Sequence, residues 1–257
     1  MERLNLRQPS KYDYSDMADT YEQNINFYCV SEGATEESYL YGVRNNKKEL
    51  QIQNNVIIQV VEKTEENETY SYPAQLVDAC LYNMGCIKED GTEIPRTEWD
   101  DNCKWDGYKR EIDKVCVLFD RDFRGLESVL ADLIDKCSKY GIEVIMSNPN
   151  FELWLLMHFP DIGKYSKKQI SENKKNIGYQ VDKNASKKKK FLEIEVSKLA
   201  GGYTKGSRIK FERFVDGIDL AIEQAGSFEE EPRKIMTEIG TSMGQLIRKM
   251  KRTDITI

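Results

Sequence analysis

The sequence predicts an α/β protein in which a mostly parallel sheet is flanked by helices and followed by a helical C-terminal extension. Three observations carry this. Short apolar runs rich in β-branched residues alternate with helix-like segments through the first 160 residues. The runs exit into Glu-Gly, acidic or Asn-Pro punctuation, and beyond Pro160 no strand-like run is seen. Strands joined by helices imply parallel pairing with right-handed crossovers.

Taken in order, a polar, Tyr-rich leader over 1–24 precedes a first strand at Ile25 to Ser31, which stops at Glu32-Gly33. A helix-like segment opens at Thr35-Glu36-Glu37, a plain helix-start pattern. Val56 to Val61 is a second strand, and Pro73 suits the first turn of the next helix. Residues 85–113 break the alternation with Gly85, Gly91, Pro95, Gly107, Trp99 and Trp105, and read as an insertion or long loop. Lys114 to Phe119 is a third strand, leaving into Asp120-Arg121-Asp122. Leu126, Val129, Leu130, Leu133 and Ile134 then recur at helical spacing, in a helix from about Gly125 that ends near Tyr140 at Gly141. Ile142 to Met146 is a fourth strand, followed by a turn and cap at Ser147 to Asn150 and an apolar helix from Phe151 to Phe159. The core is thus expected over 25–160. A helical, lysine-rich region follows over 161–257: two helices to about Ala200, a glycine loop at Gly201 to Gly206, a helix near Arg208 to Gln224, an acidic linker and a last helix to Lys251.

Composition excludes several classes. With 39% hydrophobic and 10% aromatic residues the chain is expected to fold rather than remain disordered. No apolar run reaches the ~18 residues of a membrane helix, and the N-terminus lacks the apolar core of a signal peptide, so a cytoplasmic protein with no membrane partner is expected. The six cysteines are scattered, with no Cys-x-x-Cys pair, and are read as reduced thiols. A single histidine, His158, lies in an apolar stretch and reads as a packing residue, so zinc and His-metal chemistry lack their ligands. Gly201 to Ser207 contains P-loop letters, but its lysine precedes the glycine and no strand leads in, which excludes an ATP-binding P-loop.

Charge is uneven. Residues 164–190 hold ten lysines against Glu172 and Asp182, a local +8 on a chain of net −6, which leaves the remainder at −14. The run Lys187-Lys188-Lys189-Lys190 reads either as a phosphate-contacting patch or as a solvated helical face.

In an open parallel sheet functional groups gather at the carboxyl ends of strands. Two of the strands end in carboxylates: Glu32 after the first, and Asp120 and Asp122 after the third. Glu36 follows Glu32 by four residues, within the first helical turn. Carboxylates brought together repel one another, so such a cluster normally holds a hard divalent cation, Mg²⁺ or Mn²⁺, for phosphoryl chemistry.

Three segments carry a resemblance: Phe27 to Glu36 (FYCVSEGATE), Val117 to Asp122 (VLFDRD) and, most specifically, Ser147 to Phe159 (SNPNFELWLLMHF). They resemble the marker motifs of the RloB family, with similarity running from about Asn26 to Met250. That resemblance implies a Toprim-like fold, similar to OLD-type nucleases, topoisomerases and primases. It also implies pairing with an ABC-type ATPase in antiphage or abortive-infection loci. Glu32 would be the general acid/base or metal carboxylate, Asp120 and Asp122 the metal-binding Asp-x-Asp, and Glu36 a further ligand. Ser147 and Glu152 would be site residues after the next strand, although either Ser147 or Asn150 also suits a helix cap. A lysine, Lys205 or Lys210, would complete the site. The expected activity is metal-dependent phosphodiester cleavage of nucleic acid, with RNA, and tRNA in particular, favoured over DNA. A homodimer is allowed. The alternatives are a non-catalytic Toprim adaptor of the ATPase and a nucleotidyl transferase.

Overall fold

The structure, a computed structural model, describes residues 6–8, 23–63, 72–121, 127–174, 189–203, 205 and 209–252. Asp122, Lys187, Lys188 and most of the leader lie outside the described residues. The elements, in order, are β1 (Ile25–Ser31), α1 (Ala34–Asn45), β2 (Val56–Val60), α2 (Pro73–Asn83), β3 (Lys114–Asp120), α3 (Glu127–Tyr140), β4 (Ile142–Asn148), α4 (Glu152–Leu156), α5 (Lys167–Glu172), α6 (Phe191–Leu199), α7 (Ile218–Ala225), α8 (Pro232–Ile235), β5 (Gly240–Thr241) and α9 (Met243–Lys251). Among the described residues one sheet runs β2-β1-β3-β4-β5; its first four strands are parallel, and β5 is antiparallel to β4. This is the expected α/β, Toprim-like architecture. No described helix is long and apolar enough to cross a membrane.

The strands read as continuous apolar runs because helices cover both faces. Ile25, Phe27 and Cys29 of β1, with Cys116 and Leu118 of β3, pack against α1, α4, α6, α7 and α9. Their neighbours Tyr28, Val30, Val115, Val117 and Phe119 face the opposite side, where α2 and α3 lie. From β1 the chain turns outward to β2 through α1; from β2 it returns past β1 to β3 through α2. Connections in opposite directions put their helices on opposite faces, so the strand order reverses between β1 and β3. Ligands bind at such a reversal, outside the carboxyl ends of the strands.

The segment expected as an insertion is packed. Trp105 stacks on Tyr28 at 4.7 Å, and Tyr108 meets the same ring edge-on at 5.5 Å. Arg110 lies over Trp99 at 4.8 Å and donates to the Met84 carbonyl at 2.6 Å. Asp113 closes the segment, accepting from Asn26 N at 2.8 Å, Asn26 Nδ2 at 2.9 Å and Lys109 N at 2.7 Å. Asp113→Ala, which orphans these buried donors, is expected to cost about 1–3 kcal/mol in chemical denaturation.

Three expectations are corrected. α4 is shorter than Phe151 to Phe159: the chain tightens into i→i+3 bonds from His158 N to Leu155 O and Phe159 N to Leu156 O before Pro160, which disfavours helix at the residue before it. The helix near Arg208 starts only at Ile218, after two 3-10 turns, Phe211–Arg213 and Val215–Gly217. There Phe211 packs onto Gly42 and Gly217 onto the His158 carbonyl, each so closely that a Cβ would not fit. Finally, the C-terminal region does contain a strand, β5. Two residues are too few to show a strand period in sequence.

Candidate active site

Parallel register places the ends of β1, β3 and β4 at one edge: Ser31 pairs with Leu118, and Asp120 with Ser147. Glu32 N donates to Leu118 O at 2.9 Å, and the Asp120 N–H donates to Glu32 Oε2 at 3.1 Å. These two acids therefore flank the reversal point. Asp120 shares the face of Cys116 and Leu118, the side on which α1, α4 and α6 pack. Glu36, in the first turn of α1, and Glu152, the first residue of α4, are both buried there.

Lys205 enters from the loop after α6. Its ammonium lies 3.5 Å from Asp120 Oδ2 and 4.0 Å from Glu152 Oε2. Of the two lysines the resemblance allowed, it is Lys205 that pairs with the acids. The loop is anchored on both sides. Arg213 donates to the carbonyls of Ala200, Gly201 and Gly202, and Tyr203 donates its hydroxyl to Glu152 Oε1 at 2.7 Å. Gly201 and Gly202 have φ of 62° and 113°, a left-handed path that glycine takes without strain.

Electrostatics follow from burial. Desolvation pushes Glu36 up to about 7, with the charges of Glu152 and Glu32 adding to it, and a bond to its own backbone and Lys205 opposing. Asp120 is raised well above the ordinary carboxylate range, first by desolvation and next by Glu36. Glu193, on α6, is raised too, by desolvation and then by Glu152.

The donor set is all carboxylate oxygen, which suits a hard cation. Its mutual repulsion, and a buried Glu152 Oε2 that accepts no hydrogen bond, are what such a cation would relieve. Among the described residues no three His, Cys, Asp or Glu side chains form a ready-made metal-binding group.

Several contributors escaped the sequence reading. Lys63 follows β2 and donates to the Glu32 carbonyl at 2.7 Å; its place at a strand exit was a usable signal. Tyr203 and Glu193 carried none. Ser147 does not cap a helix but bonds Thr241 Oγ1 at 2.8 Å, fastening β5 to β4. Asn150 does not cap either: α4 has Phe151 at its N-cap, and both amide atoms of Asn150 are buried without a partner. Lys189 is drawn into the site's support, donating to the Tyr203 carbonyl at 2.6 Å, while Lys190 is the N-cap of α6. His158 is the expected packing residue. Its Nδ1 faces the Trp154 carbonyl at 2.9 Å and its Nε2 the Tyr39 hydroxyl at 3.0 Å, and burial lowers it to about 4.

Tyr203→Phe would leave Glu152 buried with neither oxygen hydrogen-bonded. The expected loss is about 1–3 kcal/mol in urea unfolding, and Glu152→Gln in the same background should recover part of it.

A buried acidic centre paired with Lys205, set at the strand-order reversal of a parallel sheet, defines a Toprim-like protein. The chain belongs to the RloB family: the model of that family, described as RloB-like protein, matches residues 27–250. No curated protein and no solved structure matches it.

Proposed function

We propose that this RloB-like protein is a divalent-metal-dependent nuclease effector, cleaving phosphodiester bonds of RNA, foremost tRNA, under control of an ABC-type ATPase in antiphage defence. The observation that supports it is the bond between Asp120 and Glu32 beside Lys205 at the reversal point, with the charge of Glu36 acting on Asp120. The substrate class and the ATPase rest on the family resemblance. Glu32, Glu36 and Asp120 would hold Mg²⁺ or Mn²⁺, with Asp122 the remaining candidate. When bound, the ion supplies a Lewis acid and lowers the pKa of water.

The chain's own groups do the rest. The Asp120 N–H fixes one oxygen of Glu32 and so its orientation. Lys63 braces the Glu32 backbone from β2. Lys205, already between two acids, can move its ammonium onto an incoming phosphate and offset charge growing there. Retention of Glu32 and Asp120 favours a catalyst over a non-catalytic adaptor.

The test incubates purified protein with total tRNA, plasmid and single-stranded DNA in Mg²⁺, Mn²⁺ or EDTA, alone and with the partner ATPase, on denaturing gels. Metal-dependent tRNA fragments are expected. Absence of cleavage in every arm, ATPase included, would leave the adaptor reading; elongated products requiring nucleoside triphosphates would indicate nucleotidyl transfer.

A further inference from the structure

We propose that a cleft beside the carboxylate centre is a nucleotide subsite, holding the phosphate and the sugar-base unit next to the bond that is cut. This rests on the nuclease reading and extends it to a second place on the protein.

The cleft has a volume of about 570 Å³, within the range of small-molecule sites, and includes Arg121, Asn148, Ser171, Lys174, Lys190 and Thr237 in its walls. It opens at the same carboxyl edge of the sheet as the acidic centre, through residues next in sequence to Asp120 and Ser147. Arg121 follows Asp120, and its N–H donates to Ser147 O at 2.8 Å; Asn148 follows Ser147, the residue paired with Asp120. A strand of nucleic acid crossing the acids at this edge would next meet the cleft.

Its basic lip is made by the fold. Lys174 and Lys190 are far apart in sequence, yet Phe191 N donates to Lys174 O at 3.0 Å and Leu192 N to Asn173 Oδ1 at 3.0 Å. Those bonds sew the end of α5 to the start of α6 and put the two lysines side by side. Asn173 takes the left-handed turn that this requires, at φ 37°. The acids at the rim are engaged: Glu172 pairs with Lys174 at 2.9 Å and Glu127 with Arg121 at 3.1 Å. The Lys174–Glu172 pair is exposed, and exposed pairs are weak enough to yield to a nucleotide phosphate. Asn148 donates its amide to the carbonyls of Ile235 and Glu238, Ser171 its hydroxyl to Lys168 O and Thr237 its hydroxyl to Lys234 O, which leaves their oxygens as acceptors for a sugar or base edge, while Pro149 and Met236 line the cleft with apolar surface for a ring. Such a mixed lining suits a nucleotide better than an apolar ligand or a bare anion.

The experiment titrates the full chain in EDTA with 5′-AMP, 5′-UMP, adenosine and inorganic phosphate, followed by calorimetry. Wild type, Lys174→Gln/Lys190→Gln and Ser171→Trp, which fills the cleft from an exposed helix position, are compared. Saturable binding of the mononucleotides is expected, tighter than adenosine or phosphate, and at least tenfold weaker in both variants. No saturable nucleotide binding by wild type, equal binding by both variants, or phosphate binding as tightly as nucleotide would overturn the subsite. Cleavage assays on the same proteins separate the two ideas. Wild-type cleavage with unchanged KM in both variants removes the subsite and keeps the nuclease. Nucleotide binding that is lost in both variants, from a protein that cleaves nothing in any arm, keeps the subsite and removes the nuclease.

Discussion

Asp120→Asn is expected to lower metal-dependent cleavage by about a thousandfold or more while leaving the protein at least as stable as wild type. The two halves of this outcome come from one cause. Asp120 is buried at the end of β3, and desolvation together with Glu36 raises its pKa well above the usual range. Carrying a negative charge there costs the fold free energy, so a neutral side chain of the same shape removes a strain and not a support. The same charge is what would draw a cation to Glu32 and Glu36. A purely structural acid would behave in the opposite way, with stability falling and activity following only through unfolding. Multiple-turnover cleavage of tRNA and thermal unfolding of the same preparation decide it. Activity within tenfold of wild type would remove Asp120 from the site, and a large fall in melting temperature would make it a structural residue.

Glu36→Gln is expected to become progressively more stable than wild type as pH rises from 5 to 8, by up to about 3 kcal/mol in the metal-free protein. In the unfolded chain Glu36 titrates near 4.5, and in the folded chain near 7. Between those values the native state holds a proton that the unfolded state has lost. Stability from this group is therefore fully present below 4.5 and is lost as pH rises through about 7; Asp120 adds in the same direction. His158 works against them. It is lowered from 6.5 to about 4, so over that interval the unfolded state holds the extra proton and stability rises with pH. The wild-type curve mixes both slopes; the difference between wild type and Glu36→Gln isolates Glu36. Urea unfolding in EDTA at half-unit pH steps measures it. Adding Mg²⁺ at pH 8 should stabilise wild type more than at pH 5, because the ion competes with protons for the same oxygens. A difference that stays constant with pH would mean that Glu36 is not held protonated by its burial.

Much of this was legible in the residues. The four parallel strands are apolar runs of five to seven residues, and the exits of the first and third carry the acids. Since side chains alternate across a strand, Asp120 had to share a face with Cys116 and Leu118. The motif from Ser147 to Phe159 pointed to the family that spans residues 27–250. Other parts were hidden by the kind of information a local pattern carries. β5 is two residues long, and the Trp-rich segment over 85–113 shows no period because its residues are held by Tyr28, Met84 and Asn26, all distant in sequence.

Which segments become strands, which acids stand at their ends and where the lysines concentrate can all be read along the chain. Those features depend on local periodicity, turn residues and composition. Long-range packing set β1 between β2 and β3, so that Glu32 and Asp120 meet at the reversal. It also decided that Lys205 and not Lys210 pairs with the acids, that Tyr203 holds Glu152, and that Lys174 and Lys190 share one lip. Each of these joins residues far apart in the chain. Their meeting is set by crossover direction and by the packing of α1, α4 and α6 on one face, and the burial that packing imposes is what raises Glu36 and Asp120 above the range of ordinary surface acids.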